Sequence, residues 1–358
     1  MRDTLEDITR WLSEGKRVAQ ATVVSLVGSA PRNPGATLVV SDAGDISGSV
    51  SNGCVEPDVV EQAQRVMRSG KPRLLTYGVS EEQNLERIGL SCGGEIRVFV
   101  ERVERTPELD ALEAAERAGR PAVRALVIAA PESAESADTL TGKTLTVVDG
   151  GSVEGALTEA PSLGAAVGAR ARALLGASGP VSERVALDAE TDAEAEVFYQ
   201  TLTPPRTLVI VGAGHISIPL TTLAKTLGYH VTVVDPREAF NTRERIPNAD
   251  ALLLDWPDEA LEQLPINAAT AVTVLTHDGK FDVPALKVAL RRGAGYVGMV
   301  GSKGTRATRN EALRAEGVSD DLIARIHGPI GLDIGARTPE EIALAILAQI
   351  VASARGKA

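Results

Sequence analysis

Two cysteines, a pair of glycines and a histidine–aspartate pair offer most of the chemistry in this sequence. Cys54 lies in SNGCVEP, beside Gly53 and just ahead of an expected helix N-terminus, a setting that favours a reactive, accessible thiol. Cys92 stands before Gly93 and Gly94 in LSCGGEI, where a backbone can come close to a ligand. Read functionally, these are two thiols of one site, suited to sulfur transfer or to contact with a metal-bearing cofactor. Read structurally, they are two small buried hydrophobes, as free cysteines usually are. His277 and Asp278, expected at the end of a strand, form a candidate acid/base pair. The alternative is a loop in which Asp278 satisfies its own backbone.

The second group of candidates would hold a phosphate. Residues 208–211 form a short apolar run, and Gly212 and Gly214 follow at once in GAGHIS. Ile216, Leu220, Leu223, Ala224 and Leu227 then recur at helical spacing, and residues 230–234 form a second strand that ends in Asp235. This is the strand–turn–helix–strand of a dinucleotide-binding unit. Gly212 permits the tight turn, Gly214 lets the backbone approach a phosphate, and the helix N-terminus supplies N–H groups and partial positive charge. Asp235, roughly 20 residues on, stands where an acid takes a ribose hydroxyl. Ser217 replaces the third glycine of the fingerprint, and Pro219 falls early in the helix. His215 sits within the turn and either faces the ligand or bonds locally. Ser302 and Lys303 in GSKG precede another helix, where Lys303 either meets a phosphate or is a solvated turn residue. His327 and Asp333 flank glycine-rich turns and rank lower.

The elements needed to position these residues are legible along the chain. An amphipathic first helix places Leu5, Ile8 and Leu12 on one side and does not resemble a signal peptide. Strands are expected at 21–27, 37–40 and 46–50, with the loop GSAPRNPGA between the first two. A helix bearing Val59, Val60, Ala63, Val66 and Met67 on one face follows. The segment TLVVSDAG at 37–44 matches TLTVVDGG at 144–151. Continued from there, 125–130 stands for the first strand, 162–175 for the helix, and 196–202 for 95–101. The expected fold is therefore α/β. A C-terminal Rossmann-like parallel sheet follows a β-rich α+β N-terminal region with an internal duplication. The expected boundaries are 1–104 for the first copy, 105–203 for a degenerate second copy, and 207–354 for the Rossmann-like domain. The second copy lacks the cysteines and the GSAPRNPG loop, so the first would carry the chemistry.

The chain has 358 residues, 44% hydrophobic and 24% charged, a composition for a globular protein with a sizeable core. A formal net charge of −11 argues against nucleic acid and anionic membrane as partners. No apolar run is long enough to span a bilayer, and a cytoplasmic location is expected. Two cysteines make neither a metal cage nor a disulfide framework, and no metal site is expected. The sequence has no H-E-x-x-H, Walker or G-x-S-x-G motif, which disfavours metalloprotease, P-loop ATPase and serine hydrolase.

Taken together, GSAPRNPGATLVVSDAGDISGSVSNGCVE, LSCGGEI, GAGHIS, VVDPR, THDGKFD, GSKGTR and GLDIGARTPEEIA resemble the motifs of the XdhC/CoxI family. These are accessory, maturation proteins of xanthine dehydrogenase and other molybdenum hydroxylases. The likeness covers most of the chain. It departs from the family pattern at Asn52, where a glycine is usual, and at Ser217.

The resemblance implies a chaperone that binds molybdenum cofactor, as molybdopterin or its dinucleotide form, and assists its sulfuration and insertion. It implies an apo molybdenum hydroxylase and a cysteine desulfurase as partners, and a homo-oligomer. Gly212, Gly214, His215, Asp235, Ser302 and Lys303 would hold the cofactor, while Cys54, Cys92, His277 and Asp278 would do the chemistry. Two other readings stay open. One is an NAD(P)-dependent oxidoreductase using the same glycines and Asp235. The other is a nucleotide-binding scaffold without turnover. Oxidation of xanthine by this chain itself is not expected, because two cysteines cannot carry the iron–sulfur clusters of such an enzyme.

Overall fold

The computed structural model of the chain describes residues 2–78, 93–131, 137–151, 153–155, 157–158, 160–177, 179–188, 192–203 and 206–357. It divides into two compact units, Met1–Pro204 and Pro205–Ala358.

The first unit runs α1 (Arg2–Ser13), β1 (Val18–Val27), β2 (Thr37–Ser41), β3 (Ile46–Gly48), α2 (Glu56–Ser69), β4 (Arg73–Tyr77) and β5 (Glu95–Val103). It continues with α3 (Pro107–Arg117), β6 (Ala122–Ala129), α4 (Ala137–Leu140), β7 (Thr144–Val148), β8 (Val153–Glu154), α5 (Pro161–Ala173), β9 (Val181–Ala186) and β10 (Glu194–Leu202). Two antiparallel sheets result, in the orders β3-β2-β1-β5-β4 and β8-β7-β6-β10-β9. The topology is the same in both.

Strand alternation then sorts the side chains into layers. Ala19, Ala21 and Val23 of β1 and Ile96, Val98 and Val100 of β5 point toward α2, whose Val59, Ala63, Val66 and Met67 cover them. Val123, Ala125 and Val127 of β6 and Val197 and Tyr199 of β10 do the same beneath Leu163, Val167 and Ala171 of α5. The opposite faces meet each other. Val24, Phe99, Leu126, Ile128 and Phe198 form the layer between the sheets. Two bidentate ion pairs accompany it, Arg97 with Glu196 at 2.6 and 2.8 Å and Arg124 with Glu101 at 2.9 and 2.8 Å. The unit is thus a helix–sheet–sheet–helix sandwich, with α1 and α3 sharing a further apolar cluster around Leu5, Ile8, Trp11 and Leu112.

Register refines the correspondence between the two halves. Thr22 pairs with Phe99, and Leu126 pairs with Phe198. Phe198 therefore stands for Phe99, two residues from the alignment that the sequence pattern gives for 95–101 and 196–202. A slip of two keeps every side chain on its face, which is why alternation alone does not reveal it. The irregularity in pairing also recurs: β1 shifts register between Val23 and Ser25, and β6 passes from Val127 to Ala129 against β10. The skipped residues, Val24 and Ile128, both enter the layer between the sheets.

The second unit runs β11 (Thr207–Val211), α6 (Ser217–Thr226), β12 (His230–Val234), β13 (Ala251–Leu253), α7 (Pro257–Gln263), β14 (Thr270–Val274) and α8 (Gly279–Arg291). It ends with β15 (Tyr296–Met299), α9 (Lys303–Ala315), α10 (Asp320–Ala324), β16 (Ile326–His327) and α11 (Pro339–Ser353). Six parallel strands lie in the order β13-β12-β11-β14-β15-β16, with one apolar cluster on each face. This is the doubly wound Rossmann arrangement, and strand order reverses between β11 and β14, where such sheets bind ligands. A capping box opens α11, with Thr338 and Glu341 bonding each other's backbone.

Candidate functional site

A cleft of about 470 Å³ opens at that reversal point. Gly214, His215, Ile216 and Ser217 of the β11–α6 turn form one wall, and Arg237 and Phe240 beyond β12 form a second. Leu275, Thr276, His277, Asp278 and Phe281 of the β14–α8 connection close the third side.

The two glycines do different work. Gly212 has φ +105°, and a Cβ there would stand 2.8 Å from Thr276 Cγ2 and 3.1 Å from the Thr276 N atom. Only a glycine lets this turn lie against the end of β14. A Cβ at Gly214 would meet nothing within 4 Å, so its backbone borders open space in the cleft. Ser217, at the third glycine position, is fully buried and donates its hydroxyl to the Gly212 carbonyl, tying the first turn of α6 to the loop. Pro219 is the third residue of α6, where the N–H it lacks has no intrahelical partner in any case.

Asp235 is where the fingerprint places it, but its carboxylate is already engaged. It is 1% exposed and accepts from Ala213 N at 2.8 Å, Arg237 N at 3.0 Å, Arg237 Nε at 2.9 Å and Arg237 Nη2 at 2.7 Å. Burial pushes its pKa up, but these hydrogen bonds outweigh burial and hold it below the ordinary aspartate value. The group that reaches the cleft from this strand end is the Arg237 guanidinium, which lies 4.5 Å from the Phe240 ring centroid.

His215 and His277 are both exposed and line the cleft, one from the β11–α6 turn and one from the β14–α8 connection. Asp278 is the N-cap of α8 and accepts from Lys280 N at 3.1 Å, the local role that a strand-end aspartate can take. The stretch HDGKFD is correspondingly less of a loop than its composition suggests, because Gly279–Asp282 already form the first turn of α8. Asp282 anchors that turn. It is buried, accepts from the Thr276 hydroxyl, and is bonded by Arg309 Nε at 2.9 Å. Ser302 caps α9 by accepting from Thr305 N at 3.1 Å. Ser302 and Lys303 are exposed and are not among the residues lining the cleft. His327 stacks on Tyr296 at 4.8 Å, and burial together with Arg306 lowers its pKa.

In the first unit, Cys54 is half-buried against the apolar cluster under α2. The loop that carries it wraps a single carboxylate. Glu56 accepts from Ser49 Oγ at 2.6 Å, Val50 N at 3.1 Å, Ser51 N at 2.8 Å and Gly53 N at 2.8 Å, and from the Ser51 hydroxyl. Burial opposes ionisation of Glu56, but the hydrogen bonds prevail and bring its pKa down to about 2. Asn52 (φ +58°) and Gly53 (φ +106°) supply the left-handed turn. Cys92 lies outside the described residues. Among the described residues, no group of His, Cys, Asp and Glu side chains could hold a metal ion, and no helix is long and apolar enough to cross a membrane.

Arg237 and Glu56 lie within the motifs VVDPR and SNGCVE, but neither receives a role from the sequence alone. The available signals were local: an arginine two residues after a strand-ending acid, and a glutamate closing a run of small residues.

The fold and cleft define a Rossmann protein with a phosphate-type turn, preceded by a two-sheet sandwich. The chain belongs to the XdhC/CoxI family. The sequence model of the XdhC and CoxI family matches residues 11–78, and that of the XdhC Rossmann domain matches 208–350. A Bacillus subtilis protein named as a probable xanthine dehydrogenase subunit is 27% identical over 95% of this chain and 94% of its own length. The molybdenum cofactor insertion chaperone PaoD of Escherichia coli is 26% identical over 95% of this chain and 84% of its own. A crystal structure described as a xanthine dehydrogenase from Bacillus halodurans superposes with a TM-score of 0.77 at 25% identity, covering 99% of this chain and 97% of that one.

Proposed function

We propose that this chain is a maturation factor for a molybdenum hydroxylase. It binds molybdenum cofactor as cargo, assists its sulfuration, and delivers it to the apo-enzyme. The observation that carries this reading is the cleft at the β11–α6 turn, where Gly214 leaves open space beside the Arg237 guanidinium. The cargo, molybdopterin or its dinucleotide form, carries phosphate, and a helix N-terminus with an arginine suits that group. Likeness along most of the chain to a cofactor insertion chaperone supports the choice of cargo.

Within this reading, Gly212 and Gly214 shape the phosphate turn, and His215 and His277 face the bound molecule from the two walls. Asp278 fixes the start of α8 beside it, while Ser302 and Lys303, outside the lining of the cleft, would meet only a part of the cargo that extends beyond it. Cys54 and Cys92 are the thiols of the sulfuration step, with a cysteine desulfurase as the sulfur donor. The protein works as a homo-oligomer in the cytoplasm. The NAD(P)-dependent oxidoreductase reading asks Asp235 for a ribose contact, and a buried carboxylate with four hydrogen bonds is poorly placed to give one.

The test has two parts. Anaerobic titration with molybdenum cofactor and with NAD(H) is run on wild type and Gly214→Asp, and reconstitution of an apo-hydroxylase is run with wild type, Cys54→Ala and Cys92→Ala. Cofactor binding that weakens at least ~10-fold in Gly214→Asp, with client activation lost in the cysteine variants, is expected. Tight NAD(H) binding without cofactor affinity would overturn the reading in favour of an oxidoreductase. Binding with no effect on the client would leave a scaffold.

A further inference from the structure

We propose that the subsite at the end of β12 takes a phosphoryl group, and that Arg237 selects it over the vicinal hydroxyls of a ribose. The inference rests on the cleft being the ligand site, as above, and names the chemistry that one wall of it recognises.

In a Rossmann cleft an acid at this strand end accepts hydrogen bonds from ribose hydroxyls, whereas an arginine nearby accommodates a phosphate. Here the acid has withdrawn. Asp235 is 1% exposed, and each of its oxygens already accepts two hydrogen bonds. A ribose hydroxyl could be accepted only by displacing one of them. The side chain presented instead is Arg237, 45% exposed and lining the cleft.

That guanidinium is held in a fixed orientation. Asp235 grips Nε and Nη2, so the Nη1 edge is turned away from the carboxylate. Phe240 lies under the guanidinium, and Arg245 approaches the same ring at 5.1 Å. A planar fork clamped by a carboxylate and a ring has little freedom left to lose on binding an anion. Asp278 on another wall also acts on this charge, and its own carboxylate has Lys280 Nζ 3.5 Å away. A phosphoryl group makes charge-assisted bonds to such a fork, and a diol makes only neutral ones.

The phosphoryl group could be borne on a ribose or on a pterin side chain, and two ligand pairs separate these sources. NADP+ and NAD+ differ by one phosphate on ribose. The oxidised pterin phosphate released from molybdopterin differs from its phosphatase-treated product by one phosphate on the side chain. All four are titrated calorimetrically into the full chain. The phosphorylated member of at least one pair is expected to bind at least ~10-fold more tightly, and that pair identifies the source. Arg237→Lys keeps the charge and loses the fork, so the preference should shrink. Arg237→Ala leaves Asp235 buried with backbone donors alone and risks misfolding. The paired Asp235→Asn, Arg237→Gln variant, which replaces both charges with amides, should therefore abolish the preference in a folded protein. Equal affinity within both pairs, tighter binding of the unphosphorylated members, or no binding of any of the four would overturn the proposal. Client reconstitution is read separately. In the wild type, equal affinity within both pairs together with intact client activation overturns the subsite alone, and a clear preference without client activation overturns the maturation role alone.

Discussion

Glu56 gathers three backbone N–H groups and two hydroxyls from the segment that carries Cys54, and it also begins α2, where negative charge is favoured. Its pKa of about 2, against 4.5 ordinarily, means that the folded state holds the carboxylate more strongly than the unfolded chain does. The stabilisation is complete above about pH 4.5 and is lost as pH falls through the folded value. Glu56→Gln should lower stability at pH 7 by ~2 kcal/mol after allowance for partial exposure. Urea midpoints of both proteins at pH 7, 4 and 2.5 should converge toward the acid end. A gap that stays constant with pH would show that the glutamate acts through shape alone. The identity of Asp235 was legible from its distance to the glycine turn, but its engagement was not. Arg237 curls back two residues to reach it, and a one-dimensional pattern records spacing without the direction of a side chain.

At the scale of elements, the β11–α6 turn separates the folding role of one glycine from the binding role of the other. Gly212→Ala places a methyl group against Thr276 at a left-handed φ, and should cost ~2 kcal/mol or more in thermal or denaturant unfolding. Gly214→Ala meets no neighbour and should leave stability within ~0.5 kcal/mol while weakening ligand binding. Equal melting temperatures for the two variants would contradict this division. The start of α8 makes a related point. The polar, glycine-containing HDGKFD reads as loop, yet the helix begins at Gly279 because Asp278 caps it and Arg309 of α9 neutralises the buried Asp282. That partner is distant in sequence, so local composition gives no sign of it. Arg309→Ala should leave Asp282 buried and unpaired by charge, at a cost of ~3 kcal/mol read from the denaturant midpoint. The start of α11 was legible for the opposite reason: its Thr338–Glu341 box lies wholly within four consecutive residues.

Over the whole molecule, each unit carries its own cores, and in the first unit the core is built twice and then joined face to face. The repeated D-x-G hairpins exposed this repetition in the sequence, since β2–β3 and β7–β8 fall where the matched segments lie. The layer between the sheets was not legible. Its residues alternate with those under the helices, and Arg97, Glu101, Arg124 and Glu196 among them read as solvent-facing charges. They are instead two cross-sheet pairs flanking Phe99 and Phe198, which occupy matching positions in the two sheets and are 0% and 1% exposed. This equivalence gives a quantitative expectation. Phe99→Ala and Phe198→Ala should each cost ~3–5 kcal/mol, because each removes a ring from the same close-packed layer. The second truncation should add less than the first, since the cavity it enlarges already exists. The double variant should therefore depart from additivity by ~1 kcal/mol or more in urea unfolding. Strict additivity would mean that the two rings stabilise separate cores, and the joined sandwich would then not be the arrangement that holds this unit together.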